Sequence, residues 1–144
     1  MTEASAGVLA ALGGLPARLA VAARAGAALP TPAGEWTPHE IVRHLIAVEL
    51  DVWHPRIRQL VVEEHSTWPW LEPGPWAGEP DATLDRLLEI HAAARSHTVA
   101  MLAAFDDAGW ARTGTHATFG ELDAAGLMAR AIDHDEEHLA SFAG

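Results

Sequence analysis

Four stretches of this chain place apolar residues at the three- and four-residue spacing of an α-helix, and none sustains the alternation of a half-buried strand. A chain patterned in this way must close its apolar stripes on one another, which predicts an all-α four-helix bundle. The first stripe is Val8, Leu12, Leu15 and Leu19, on a helix from about Ala4 to Ala28. Gly13, Gly14 and Pro16 are expected to kink or split it, and Pro30-Thr31-Pro32 to end it. The second helix opens at Trp36-Thr37-Pro38-His39-Glu40, where Thr37 caps, Pro38 suits the first turn and Glu40 completes a capping box. Its face runs through Ile41, Val48 and Val52, with a kink or new segment expected at Pro55 and an end near Glu64. The third helix carries Leu84, Leu87, Leu88 and Met101 between about Asp81 and Asp106. The fourth is expected to open at a second capping box, Thr118-Phe119-Gly120-Glu121, and to run to about Phe142.

Between the second and third helices, the run Trp68-Pro69-Trp70-Leu71-Glu72-Pro73-Gly74-Pro75-Trp76 excludes regular helix and central strand. It predicts a long loop whose three tryptophans lie against the bundle. At 144 residues, 49% of them hydrophobic, the chain suits one domain over residues 1–144 with a substantial core.

Charge and cysteine content narrow the chemistry. The chain has no cysteine, so a thiolate metal site, an iron–sulfur cluster and a cysteine nucleophile are all excluded, and any metal must rely on imidazole and carboxylate. Twenty Asp and Glu face nine basic residues, all of them Arg, for a net charge of -11. No basic stripe is available to neutralise phosphates, so nucleic acid is not an expected partner. The apolar stretch from Val8 to Leu29 is broken by Pro16, Arg18 and Arg24 and is preceded by Thr2 and Glu3, so neither a signal peptide nor a membrane span is expected. A cytoplasmic location follows as an expectation.

His134 and His138 lie four apart, about 40° in azimuth and one turn in height, so their imidazoles point the same way. With nine histidines in the chain, chance alone supplies about half of one such pair, so the spacing carries little weight. Placement carries more. Leu127 and Ala131 continue the same stripe, which puts both histidines on the core side, and His44 lies between Ile41 and Val48 on the core side of the second helix. Three imidazoles from two helices make a facial set suited to Zn²⁺, Ni²⁺ or Fe²⁺ with positions left open. The alternative on these residues is three separate core histidines, each neutral and satisfied by a carbonyl or carboxylate. Glu40 and Asp51 lie near the azimuth of His44 and are candidates to orient an imidazole or accept a proton; the alternatives are the capping role for Glu40 and a solvated or ion-paired surface position for Asp51. His39, His54, His65, His91 and His97 are read as helix-end or exposed residues, and Trp36, Trp53 and Trp110 as packing.

The string Trp36-Thr37-Pro38-His39-Glu40-Ile41-Val42-Arg43-His44-Leu45, with Glu49 beyond it, resembles the second-helix signature of the DinB/YfiT-like superfamily of bacterial metalloproteins. Thr113-Gly114-Thr115-His116 before Phe119-Gly120, then His134-Asp135-Glu136-Glu137-His138-Leu139, resembles its C-terminal half. The resemblance implies an up-down-down-up bundle, often dimeric, in which His44, His134 and His138 hold a divalent metal. His116 matches a family histidine and, with Trp70, is a candidate for the pocket mouth. Among chemistries, the resemblance implies thiol S-transfer with mycothiol or bacillithiol as a low-molecular-weight co-substrate, or metal-dependent hydrolysis, each acting on a small molecule. The contrasting reading is a binding or stress-response protein whose metal site is structural or vestigial.

Overall fold

The computed structural model describes residues 1–142. Its frame is four long helical columns: α1 (Glu3–Ala27), α2 (Pro38–Val48) running through a π-helical turn (Glu49–Trp53) into α3 (His54–Val62), α4 (Leu84–Ala103), and α6 (Ala124–Ser141). A single short helix, α5 (Asp107–Ala111), precedes the last column. The four-helix bundle is therefore observed, with differences at its joints.

α1 runs without interruption through Gly13, Gly14 and Pro16, capped by Thr2 Oγ1, which accepts from Ser5 N at 3.1 Å. It is long and apolar enough by composition to cross a membrane. Its inward stripe of Leu12, Leu15, Leu19 and Ala23 is buried within the fold, and most of its other positions are exposed. The expected capping box of α2 is present, with Glu40 N donating to Thr37 Oγ1 at 3.2 Å and Thr37 N donating to Glu40 Oε1 at 3.0 Å. The disturbance at Pro55 takes the form of the π turn, in which the His54 N–H reaches back to Glu49 O. A proline ring clashes with the carbonyl four residues earlier, and widening the helix by one residue relieves that clash without ending it.

The fourth helix starts later than its sequence suggested. Thr118-Phe119-Gly120-Glu121 is not a helix start: it lies in the turn and return strand of a hairpin, and Asp123 caps α6 by accepting from Gly126 N at 2.7 Å. Gly120 sits at φ +76°, a conformation that suits glycine in this tight turn. The hairpin belongs to a three-stranded sheet outside the bundle. β2 (Thr113–His116) pairs in parallel with β1 (His65–Trp68), and antiparallel with β3 (Gly120–Asp123). Strands of four residues are too short to leave an alternating pattern, and β1 opens the segment read as loop. Within that segment Trp68 is buried and donates from Nε1 to Gln59 Oε1 at 3.0 Å, Trp76 is partly covered, and Trp70 remains 56% exposed.

Apolar packing divides into two clusters. One gathers Leu12, Val52, Trp53, Ile57, Leu102, Leu127 and Met128. The other gathers Leu19, Ile41, Leu45, Leu87 and Phe142. Along α4 and α6, the residues between these clusters are buried and polar: His91, Arg95 and Thr98 on one, Asp135 on the other. Glu49, at the start of the π turn, joins them. This polar layer backs the candidate site.

Candidate metal centre

Two rigid helices and one loop supply the site. α2 contributes His44, fully buried; α6 contributes His134 and His138, one turn apart; and the loop after β1 brings in Glu72. His134 Nε2 lies 3.4 Å from His44 Nε2 and 3.2 Å from His138 Nε2. Glu72 Oε1 is 2.9 Å from His44 Nε2 and 3.1 Å from His134 Nε2. One ligand atom from each of the four residues falls within 4.8 Å of the others. Trp36 closes one side, its ring centroid 5.0 Å from that of His44.

The protonation pattern of this cluster can be followed atom by atom. His44 Nδ1 is 2.7 Å from the Pro73 carbonyl oxygen, which can only accept, so Nδ1 carries the hydrogen and Nε2 faces the cluster. Burial lowers the pKa of His44, despite the bond to Pro73 and the nearby Glu72. Burial also pushes His138 down to about 4, with His134 and His44 adding to the effect. His44 Nε2 therefore turns its lone pair toward Glu72 Oε1 at 2.9 Å, an approach of two acceptors that a cation between them would relieve. Nitrogens bound at about 2.0–2.1 Å to one tetrahedral ion stand about 3.3 Å apart, close to the spacings seen here. The donor set therefore fits a divalent cation by both spacing and charge.

Behind the cluster, Arg95 is held between two carboxylates. Its Nε donates to Glu49 Oε1 at 2.9 Å, its Nη1 to Asp135 Oδ2 at 3.0 Å and to Leu12 O at 3.1 Å, and its Nη2 to Asp135 Oδ1 at 3.1 Å. Thr98 Oγ1 donates to Glu49 Oε2 at 2.6 Å. Burial alone would raise the pKa of Glu49, but Arg95 more than offsets it and the net shift is downward. Asp135 is pushed up to about 6, chiefly by burial, with Arg95 opposing. At neutral pH this buried group of two carboxylates and one guanidinium carries one net negative charge directly behind His134, a field that favours a cation.

A cavity of about 130 Å³ opens beside His134 and Glu72, walled by Val52, Trp53, Trp70, Phe119 and Leu127 and also lined by Arg56 and His116. β2 sets His116 opposite Gly120 on β3 and beside Trp68 on β1. The absence of a side chain at Gly114 makes this register possible, since a Cβ there would stand 2.5 Å from the Trp68 ring.

The structure thus brings His44, His134 and His138 together and sets Trp70 and His116 in the wall of the adjoining cavity. It does not bring in Glu40 or Asp51. The Glu40 carboxylate is taken up by Thr37, and Asp51 is exposed on the π turn. His54 and His91, expected at helix ends or exposed faces, are instead buried, with His54 Nε2 2.9 Å from both Ala94 O and Thr98 Oγ1. Sequence reasoning missed Glu72, which sits in an aperiodic loop where spacing carries no information. Nor did the sequence show that Glu49 and Asp135, named there only within the resemblance, meet Arg95 in a buried group, although a signal was present: each interrupts the apolar stripe of its own helix, and Arg95 is opposite in charge to the two acids.

A family model described as the DinB superfamily matches residues 2–141. The chain belongs to the DinB superfamily. A solved structure, YfiT from Bacillus subtilis, is similar to it with a TM-score of 0.75 at 19% identity, covering 99% of this chain and 86% of that one. YfiT is described as "a probable metal-dependent hydrolase with an unusual four-helix bundle topology". No curated protein matches the sequence. Within this DinB-superfamily chain, the histidine cluster and its cavity lie where α2, α6 and the Trp/Pro-rich loop meet.

Proposed function

We propose that this protein is a divalent-metal-dependent enzyme that hydrolyses a small molecule, with His44, His134 and His138 holding the ion. The observation that carries this reading is the convergence of three imidazoles and the Glu72 carboxylate beside an apolar cavity. The description of YfiT as a metal-dependent hydrolase supports it. A bound divalent ion would supply Lewis-acid chemistry, lowering the pKa of a water or thiol and polarising a carbonyl.

The remaining work falls to the chain's own residues. Pro73 O holds the His44 ring in one tautomer. Glu72 Oε1, within hydrogen-bond reach of the same point, accepts the proton given up by the nucleophile, and its half-exposed side chain passes that proton to solvent. Trp53, Leu127 and Phe119 hold the apolar part of the substrate and limit water in the cavity.

Metal analysis of protein purified without chelator is the direct test, run beside His134→Ala and His138→Ala. The expected result is one equivalent of divalent metal in the wild type and little in either variant. An empty wild type, or equal occupancy in the variants, overturns the assignment. The hydrolase is separated from the thiol transferase by assaying ester and amide substrates with and without mycothiol, bacillithiol or glutathione. Turnover only with thiol would replace hydrolysis by S-transfer at the same centre, and a metal-loaded protein silent in both assays would support a binding role.

A further inference from the structure

Arginine is the chain's only strongly basic side chain, and most copies are engaged. Arg18, Arg24, Arg86 and Arg130 pair with carboxylates at the surface, and Arg43 and Arg112 donate to main-chain carbonyls. Of the two buried arginines, Arg95 is saturated. Arg56 is not. It is 5% exposed, yet among the described residues its one hydrogen bond runs from Nη2 to Pro69 O at 2.6 Å, and no carboxylate lies within ion-pairing distance. Burial lowers its pKa with nothing opposing. A guanidinium has five N–H donors, and burying it with one satisfied is costly unless something else occupies the rest.

What it faces is the cavity beside His134 and Glu72. His116 lines the same cavity, and its Nδ1 accepts from Thr118 N at 2.9 Å and from Phe119 N at 3.3 Å. The ring hydrogen is therefore on Nε2, which has no protein partner among the described residues. Two groups with unused donors, one of them charged, thus line the cavity that His134 and Glu72 also line, and Arg56 is near enough to His116 to help lower its pKa.

We propose that Arg56 and His116 form a carboxylate-binding subsite, so that the molecule acted on at the histidine cluster is a small monocarboxylate with an apolar body. This rests on the enzymatic reading above and specifies its substrate class. A planar carboxylate accepts two parallel N–H bonds from a guanidinium fork, with the Nε2–H of His116 as a further donor. A dianion is disfavoured, because Glu72, Asp133 and Glu137 line the same cavity and Arg130 is already paired with Asp133. A cavity of about 130 Å³ encloses a group on the scale of a benzene ring, which fixes the choice of probe.

Calorimetric titration of benzoate, benzamide and phenyl phosphate into the protein, as purified and after chelation, tests the subsite. Benzoate should bind at least about tenfold more tightly than benzamide in both preparations, and more tightly than phenyl phosphate, since a charge-assisted pair is lost in the amide. Arg56→Met, which removes the guanidinium lying 5.8 Å from the Trp53 ring centroid and keeps an unbranched apolar side chain, should reduce benzoate to the level of benzamide; Arg56→Lys should fall between, and serves as the test if the methionine variant does not fold. His134→Ala should lose metal and keep the preference for benzoate, so failure of the metal assignment and failure of the subsite are separately visible. Equal affinity for benzoate and benzamide, a preference that survives loss of Arg56, or tighter binding of phenyl phosphate overturns the proposal. So does benzoate binding only to metal-loaded protein, which would make the carboxylate a metal ligand.

Discussion

In the proposed mechanism Glu72 is the proton acceptor, and its carboxylate comes from a loop whereas the three histidines come from helices, so its role can be tested separately from metal retention. Glu72→Gln preserves shape and removes the proton acceptor. Turnover is expected to fall by about 10²-fold or more, the usual contribution of a positioned general base, while metal content measured by atomic absorption stays near that of the wild type. Proportional loss of metal would reassign Glu72 as a ligand. Arg95 shows the reverse dependence. Its removal in Arg95→Met leaves Glu49 and Asp135 buried and facing each other, at a cost of about 3–5 kcal/mol in denaturant unfolding. Glu49→Gln keeps a hydrogen-bonding partner for Thr98 and is expected to cost less.

At the scale of elements, the small sheet and the bundle are coupled through Trp68, whose ring covers Gly114 within the sheet and whose Nε1 donates to Gln59 of α3. A methyl group at Gly114 meets the ring of Trp68, itself buried and bonded to Gln59, so neither side yields easily. Gly114→Ala is expected to cost about 1–3 kcal/mol as overpacking. Because His116 follows two residues later on the same strand, the variant should also weaken benzoate binding without lowering metal content, a combination that calorimetry and metal analysis read separately. Asp123→Ala removes the cap of α6, the helix bearing His134 and His138, and should cost about 1 kcal/mol. A silent Asp123→Ala would place the start of that helix elsewhere.

For the whole molecule, acid stability follows from the buried histidines. His91 is fully buried with no partner for either ring nitrogen among the described residues, and burial holds its pKa at about 4 against an ordinary 6.5. The unfolded chain takes up this proton below about pH 6.5 and the folded chain does not, so the stability is intact above that pH and is lost as pH falls toward 4. Between pH 7 and pH 5 this group alone removes about 2 kcal/mol. His44, His54 and His138 are also lowered and act in the same sense, whereas Asp135, raised to about 6, acts in the opposite one. Urea unfolding at both pH values in the presence of chelator, compared with His91→Leu, isolates the share of His91: the variant should lose less stability on acidification. An equal loss in both proteins would show that His91 is hydrated in the folded state.

The four helices, the capping box at Thr37 and the inward placement of His44, His134 and His138 were legible in the sequence, because periodicity and capping are local and each helix carries its own stripe. The sheet was not legible, since its parallel pair joins residues as far apart as His65 and Thr113 through strands too short to leave a pattern. Nor could local sequence show which polar residues meet. His91 looked like a residue for an exposed face, and Glu40 like a neighbour of the site, until packing buried the first and Thr37 engaged the second. Sequence by itself determined the bundle and its three histidines; only the tertiary structure decided that Glu72 completes the cluster, that Arg95 is neutralised, and that Arg56 lines the cavity with no counter-ion among the described residues. The physical reason is that helix formation is governed by neighbours three and four residues away, whereas compensation of a buried charge depends on groups that only the folded chain brings within hydrogen-bond reach.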